Sequence, residues 1–246
     1  MPIGVIIDSL SIVVGGILGV ILGPRLKDDF KENLTMIFGC CAMSMGISTI
    51  VLIANLPAVI LSVILGTIIG MAIHLGEWIN KGGVAMQKFM SRFIKSEPTN
   101  MPEDEFISSL VTIIVLSCAS GTGIYGSIVA GMSGDHSILI TKSILDLFTI
   151  MIFATTLGAV TIPIAIPQFI IFMILFACGG LIFPLTTPAM INDFKAVGGI
   201  LLLATGFRMI KVKMFPTADM IPAMIIIMPI SALWTNYVVP FLNSLV

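Results

Sequence analysis

Charge is what this sequence has least of. Only 10% of its 246 residues are Asp, Glu, Lys or Arg, and the formal net charge is −1. So few charges cannot hold a chain of this length in water, and the near balance of signs points away from a nucleic-acid partner or an acidic one. Cysteine is scarce as well. Cys40, Cys41, Cys118 and Cys178 all fall inside apolar segments with no CxxC spacing, so they read as small core residues rather than as a disulfide framework or a zinc site. No metal cluster and no separated nucleophile and base is visible, so an enzyme is not expected. The first apolar run, residues 3 to 23, lacks a basic segment before it, is too long for a signal peptide and is followed by Arg25, Lys27 and Lys31. It is expected to stay on the chain as a first spanning helix.

Apolar residues are what the sequence has instead. They make up 57% of it, the mean hydropathy is +1.13, and apolar runs repeatedly approach the length of a bilayer crossing. The expected fold class is therefore all-α, a polytopic integral membrane protein with the lipid bilayer as its solvent. Eight crossings are expected, at 3 to 23, 33 to 54, 57 to 75, 105 to 132 (broken), 136 to 160, 166 to 184, 194 to 214 and 219 to 242. Between the third and fourth lies a longer segment, 76 to 104. There Met86, Phe89, Met90, Phe93 and Ile94 recur at helical spacing, with Lys81, Lys88, Arg92 and Lys95 between them. That pattern suits an amphipathic helix on an anionic membrane surface, or a solvated loop helix.

Charge also orients the chain. With the N-terminus outside, ten of the twelve basic residues fall in cytoplasmic loops, the exceptions being Lys142 and Lys195. The positive-inside rule then predicts both termini outside. A re-entrant hairpin at 105 to 132 would put Arg208, Lys211 and Lys213 outside, so a single broken crossing is preferred.

Sliding the chain along itself by about 164 residues sets Gly15 and Gly16 on Gly179 and Gly180, Pro24 on Pro188, and Asp29, Phe30 and Lys31 on Asp193, Phe194 and Lys195. The two copies would have opposite topology. A single transmembrane domain is expected over 1 to 246. Repeat A covers 3 to 75, a cytoplasmic amphipathic loop 76 to 104, central broken and charged helices 105 to 160, and repeat B 166 to 242. The two DFK segments are placed in loops on opposite faces, as alternating access requires.

The polar centre of the chain runs from Ser117 to Asp146. Gly121, Gly123, Gly126 and Gly131 interrupt its apolar run, and Lys142 and Asp146 stand one helical turn apart in the next. The spacing of the first three glycines matches GxGxxG, yet no βαβ unit surrounds them and nucleotide binding is rejected. In a transporter, Ser120, Gly121, Thr122 and Gly123 would mark an unwound stretch whose backbone groups meet a solute or ion, and this is the favoured reading, with close helix packing as the alternative. Ser133 or Asp135 is expected to cap the fifth crossing, with His136 at the membrane edge. Counting about 1.5 Å per residue from Asp135 puts Lys142 roughly 10 Å and Asp146 roughly 16 Å along the helix, about halfway through the hydrocarbon. Asp146 is the leading candidate for a functional group, pairing with Lys142, binding a cation such as sodium, or carrying a proton. Thr149 shares its face and offers an oxygen. A fixed structural ion pair is the competing interpretation. Gly15, Gly19 and Gly23 form a small-residue face that packs within the subunit or makes a homodimer.

The stretches SGTGIYG, GMSGDHSILITKS, LDLFTIMIFATTLG, PLTTPAMINDFKAVGG and LLLATGFRMIKVKMFP together resemble the bacterial YqgA/YdfK-like family of inner-membrane proteins, and the resemblance covers essentially the whole chain. It implies an inner-membrane location in a bacterium and a family of unknown function suspected of transport; it supplies no substrate and no functional residues. The function expected is secondary transport of a small solute or ion by alternating access, coupled to Na+ or H+ and needing no other cofactor. A small channel, or a membrane protein with a structural or regulatory role, stands as the alternative.

Overall fold

The computed structural model describes residues 1–22, 27–90, 106, 110, 113–114, 117–118, 120–210 and 212–244. Those residues form helices and connections, without a strand. In chain order the helices are α1 (Ile3–Leu22), α2 (Asp28–Ile50), α3 (Leu56–Ala72), α4 (Leu75–Met90), α5 (Gly121–Ser133), α6 (Ser137–Leu157), α7 (Ala165–Ile182), α8 (Pro188–Met209), α9 (Pro222–Leu233) and α10 (Val239–Asn243). A 3-10 segment, Gly158–Ile164, links α6 to α7, and a π turn, Trp234–Val238, joins α9 to α10. Of the surface helix expected at 76 to 104, α4 is observed; Arg92, Phe93, Ile94 and Lys95 lie outside the described residues.

Ile3–Leu22, Ser137–Leu185, Pro188–Met209 and Pro222–Phe241 are long and apolar enough to cross a bilayer. The second of these is 49 residues long and would be more than twice too long for one crossing of about 30 Å. It folds back at Gly158, whose φ of 74° suits a residue without a side chain, and the return brings Gln168 within hydrogen-bonding distance of Asp146. Large apolar side chains such as Leu10, Ile21, Ile68, Ile174 and Ile225 are exposed. Water would penalise such a surface and lipid does not.

The chain divides into two compact units. The first comprises Met1–Thr35 and Glu77–Leu181. Glycine determines its helix pairing: Gly15 and Gly19 of α1 lie against the backbone carbonyls of Leu147 and Met151 of α6, while Gly4 meets Leu139. The contacts advance together along both chains, so α1 and α6 run parallel. In the same way Gly123, Gly131 and Gly179 bring α5 and α7 together in parallel, through Phe172, Phe176 and Ile128. The α1 glycine face thus packs within the subunit. An apolar cluster around Ile12, Leu110, Ile113, Ile114, Ile150 and Ile164 fills the interior.

The second unit comprises Met36–Gly76 and Ile182–Val246. Here α2 and α8 cross antiparallel, Gly39 against Gly206 and Gly46 against Gly199; α3 crosses α9 with Gly66 on Ala223, and Gly70 meets Asp219 in the turn before α9. Asp219 also accepts the Gly76 N–H at 2.7 Å, just after His74 has ended α3 at a φ of 53°.

Asp193 corrects one expectation. The DFK segments are helical, not loops: Asp29–Lys31 lies in α2, and α8 starts upstream of Asp193 at Pro188, with the Thr187 side chain accepting from the Met190 N–H. The Asp193 carboxylate is fully buried, and its partners explain why a charge is tolerated there. It accepts from the N–H groups of Ala54 and Asn55, from Asn55 Nδ2 and from the Ser231 hydroxyl, at 2.7–2.9 Å. Four donors, three of them from Ala54 and Asn55 just before α3, stand in for water around one carboxylate.

Candidate functional site

The densest buried charge among the described residues lies in the first unit, on α1, α6 and α7. On α1 the residues Gly4, Asp8, Ile12, Gly15 and Gly19 recur at helical spacing and form the buried face. The bare glycines let α1 approach α6 closely, and that approach delivers the Asp8 carboxylate to Lys142. Within α6, Lys142 pairs with Asp146 one turn on; its Nζ also lies 3.5 Å from Asp8 Oδ2. From α7, Gln168 Nε2 donates to Asp8 Oδ2 at 2.8 Å and to Asp146 Oδ2 at 3.2 Å. Phe172, one turn further, sets its ring 5.4 Å from the ammonium, a cation–π distance.

Solvent is nearly excluded. Asp8 and Gln168 are 0% exposed, and the Lys142 and Asp146 side chains 3% and 15%. Two carboxylates and one ammonium, all ionised, would carry one surplus negative charge where an uncompensated charge costs several kcal/mol. The arrangement can therefore hold one further positive charge. Two acceptors in it, Asp8 Oδ1 and Gln168 Oε1, are buried without a hydrogen-bond partner.

The structure joins two of the sequence candidates, Lys142 and Asp146, and separates the others from them. Ser120 is the break itself. Its φ and ψ of −72° and 142° are extended, and its side chain caps α5 by accepting the Gly123 N–H at 3.2 Å. The expectation that the glycines unwind the chain is corrected: Gly121, Gly123, Gly126 and Gly131 all lie inside the regular helix α5. A Cβ on Gly123 would strike the Phe172 ring, so this glycine is selected by packing. Thr122 is buried in the first turn of α5. Asp135 sits between α5 and α6 and accepts the Ser137 N–H at 3.0 Å; the N-cap position of α6 itself is His136, which makes no side-chain cap bond, so neither Ser133 nor Asp135 is the cap residue expected. Thr149 is half-buried on α6 and takes no part in the hydrogen bonds of the cluster.

Sequence reasoning missed Asp8 and Gln168. Asp8 carried a usable signal, since a carboxylate five residues into a spanning helix is as costly as Lys142 and needs the same explanation. Gln168 carried less, because one neutral amide in an apolar run is tolerated in most helices. Among the described residues no group of three His, Cys, Asp or Glu side chains could hold a metal ion.

Comparison with known proteins follows the same lines. A family model described as a protein of unknown function, DUF554, matches residues 3–232. The chain is 46% identical over 237 residues to the Escherichia coli K12 protein titled Uncharacterized protein YqgA, covering 96% of this chain and 99% of that one. It is 28% identical over 236 residues to the Bacillus subtilis 168 protein titled Uncharacterized membrane protein YdfK, covering 91% and 93%. No solved structure matches.

Proposed function

This chain belongs to the DUF554 family of membrane proteins, and we propose that within it the protein is a secondary transporter, carrying a small solute or ion across a bacterial inner membrane by alternating access. The observation that carries the proposal is the cluster of Asp8, Lys142, Asp146 and Gln168, a nearly dry set of charges shared by three helices and able to take one more cation. A purely structural ion pair needs one charge of each sign. A third charged group, on another helix, couples the ionic state of the site to helix position, which is what ion-coupled transport requires.

The inverted repeat gains support from the same packing. Gly15 and Gly179 stand 164 residues apart, and each lies against a backbone carbonyl of a helix parallel to its own, Leu147 of α6 and Ile128 of α5. Transporters built as inverted repeats place their sites near the bilayer midplane, beside discontinuous helices. The Ser120 break precedes α5, whose Gly123 rests on the Phe172 ring beneath Lys142.

The test is thermal unfolding of the purified protein against pH, sodium, potassium, small organic acids and amino acids, followed by uptake of any stabilising solute into proteoliposomes. A ligand at a hundredfold excess over its Kd adds about 2.7 kcal/mol to the folded state. The expected result is a specific shift with saturable uptake, both lost in a folded Asp146→Asn variant. Normal uptake by that variant would exclude the cluster from transport, and turnover too fast for a carrier would favour a channel.

A further inference from the structure

The cluster divides into two pairs of different character. Lys142 and Asp146 are an ion pair within one helix, neutral as a unit. Asp8 and Gln168 are a carboxylate and a primary amide on two helices, joined by one hydrogen bond from Gln168 Nε2 to Asp8 Oδ2. Gln168 Nε2 faces carboxylate oxygens on both sides, Asp8 and Asp146, which fixes the orientation of the amide: the nitrogen must point at them, and Oε1 is left as an acceptor. Asp8 Oδ1 is left in the same way. Both orphans are buried, both are acceptors, and each sits one covalent angle away from the hydrogen bond the two groups already share.

Two orphaned acceptors on one hydrogen-bonded pair ask for a donor or a cation. A proton on Asp8 Oδ1 would let the carboxylic acid and the amide bond reciprocally, O–H to Oε1 and N–H to Oδ2. A small monovalent metal ion could be ligated by the same two oxygens. Either removes the surplus negative charge and keeps the Lys142–Asp146 pair, while weakening the longer 3.5 Å contact between Lys142 and Asp8. Resting on the transporter reading, we infer that Asp8 and Gln168 form the seat of the exchangeable monovalent cation, H+ or Na+, while Asp146 serves as the permanent counter-ion of Lys142.

The other groups facing Asp8 do not offer an equivalent seat. From α6 come Lys142 and Asp146, already paired. From α7 comes Gln168. The buried Cys118 thiol lies within electrostatic reach of Lys142 and Asp146. The 3-10 segment and α5 hold no Asp, Glu, Lys, Arg or His, and Tyr125 of α5 is under the influence of Asp135 instead. Because the seat joins α1 to α7, loading and unloading it makes or breaks an interhelical bond, a direct link between ion occupancy and helix position.

The experiment labels the purified, reconstituted full chain with the apolar reagent dicyclohexylcarbodiimide, which adds to protonated carboxyl groups, and locates the adduct by peptide mass spectrometry. Samples are compared at acidic and alkaline pH, in sodium or choline chloride of equal ionic strength. The expected result is an adduct on Asp8 in preference to Asp146, diminishing as pH rises. Suppression by sodium at constant pH identifies Na+ as a competing occupant; indifference to sodium identifies H+. An adduct on Asp146 in place of Asp8 would overturn the assignment.

Thermal unfolding supplies a second readout that needs no reagent access. Asp8→Asn mimics the neutral form, so it should fold, and its unfolding midpoint should lose the part of the pH or sodium dependence that the wild type shows. Identical dependence in wild type and Asp8→Asn would also overturn the inference. Asp8 labelling without transport of any solute would count against the transporter reading alone, whereas saturable transport with Asp8 inert in both assays would count against this inference alone.

Discussion

Lys142 is enclosed by two carboxylates and an aromatic ring, and each of these lowers the cost of keeping an ammonium out of water. Removing it leaves Asp8 and Asp146 together without a counter-charge. Lys142→Met is expected to lose about 3–5 kcal/mol of stability, read as a large fall in unfolding midpoint. The double variant Lys142→Met, Asp146→Asn should recover most of that loss, because it removes a charge of each sign. Asp193 in the second unit gives a parallel case without a cation. Its four donors would be stranded in Asp193→Ala, and a loss of about 3–5 kcal/mol is expected, with a smaller loss in Asp193→Asn, which keeps one acceptor oxygen. Equal stability of Asp193→Ala and wild type would mean that water replaces the carboxylate there.

At the level of whole helices, glycine takes the place that apolar side chains hold in a water-soluble bundle. Lipid is as apolar as leucine, so helices associate in it through close backbone approach. Gly15 lies where a Cβ would meet the Leu147 carbonyl, so Gly15→Ala must push α1 from α6, at a cost of about 1–3 kcal/mol. The same change at Gly82 of α4 meets nothing within 4 Å and should be neutral or stabilising by up to about 1 kcal/mol, through helix propensity alone. Comparing the two unfolding midpoints separates packing from propensity. If Gly15→Ala tracked Gly82→Ala, the tight α1–α6 approach would not exist in the membrane. Such contacts were only half legible beforehand. The every-fourth-residue glycines of α1 announced a packing face, but the partner, α6, stands more than 120 residues away in the chain.

For the molecule as a whole, the basic residues predict an orientation that labelling can check. With both termini outside, a cysteine in Ser244→Cys should react with an impermeant maleimide on intact spheroplasts, and one in Lys213→Cys only after permeabilisation; the reverse pattern would invert the topology. Composition and apolar run length together determined that this is a helical membrane protein: in lipid only helices and closed barrels satisfy their own backbone, and runs of about 20 apolar residues fit the bilayer as helices, not as barrel strands of about 10. The intramembrane charges Lys142 and Asp146 were equally legible, being costly wherever the chain places them.

Only the tertiary structure decided which charges meet. Asp8 and Gln168 join the site from helices 160 residues apart. Asp193, expected in a loop, is satisfied from inside its helix by donors near residues 54 and 231. The physical reason is common to all three. A buried polar group is explained by its partners, and partners distant in sequence are chosen by helix packing, which local pattern does not encode.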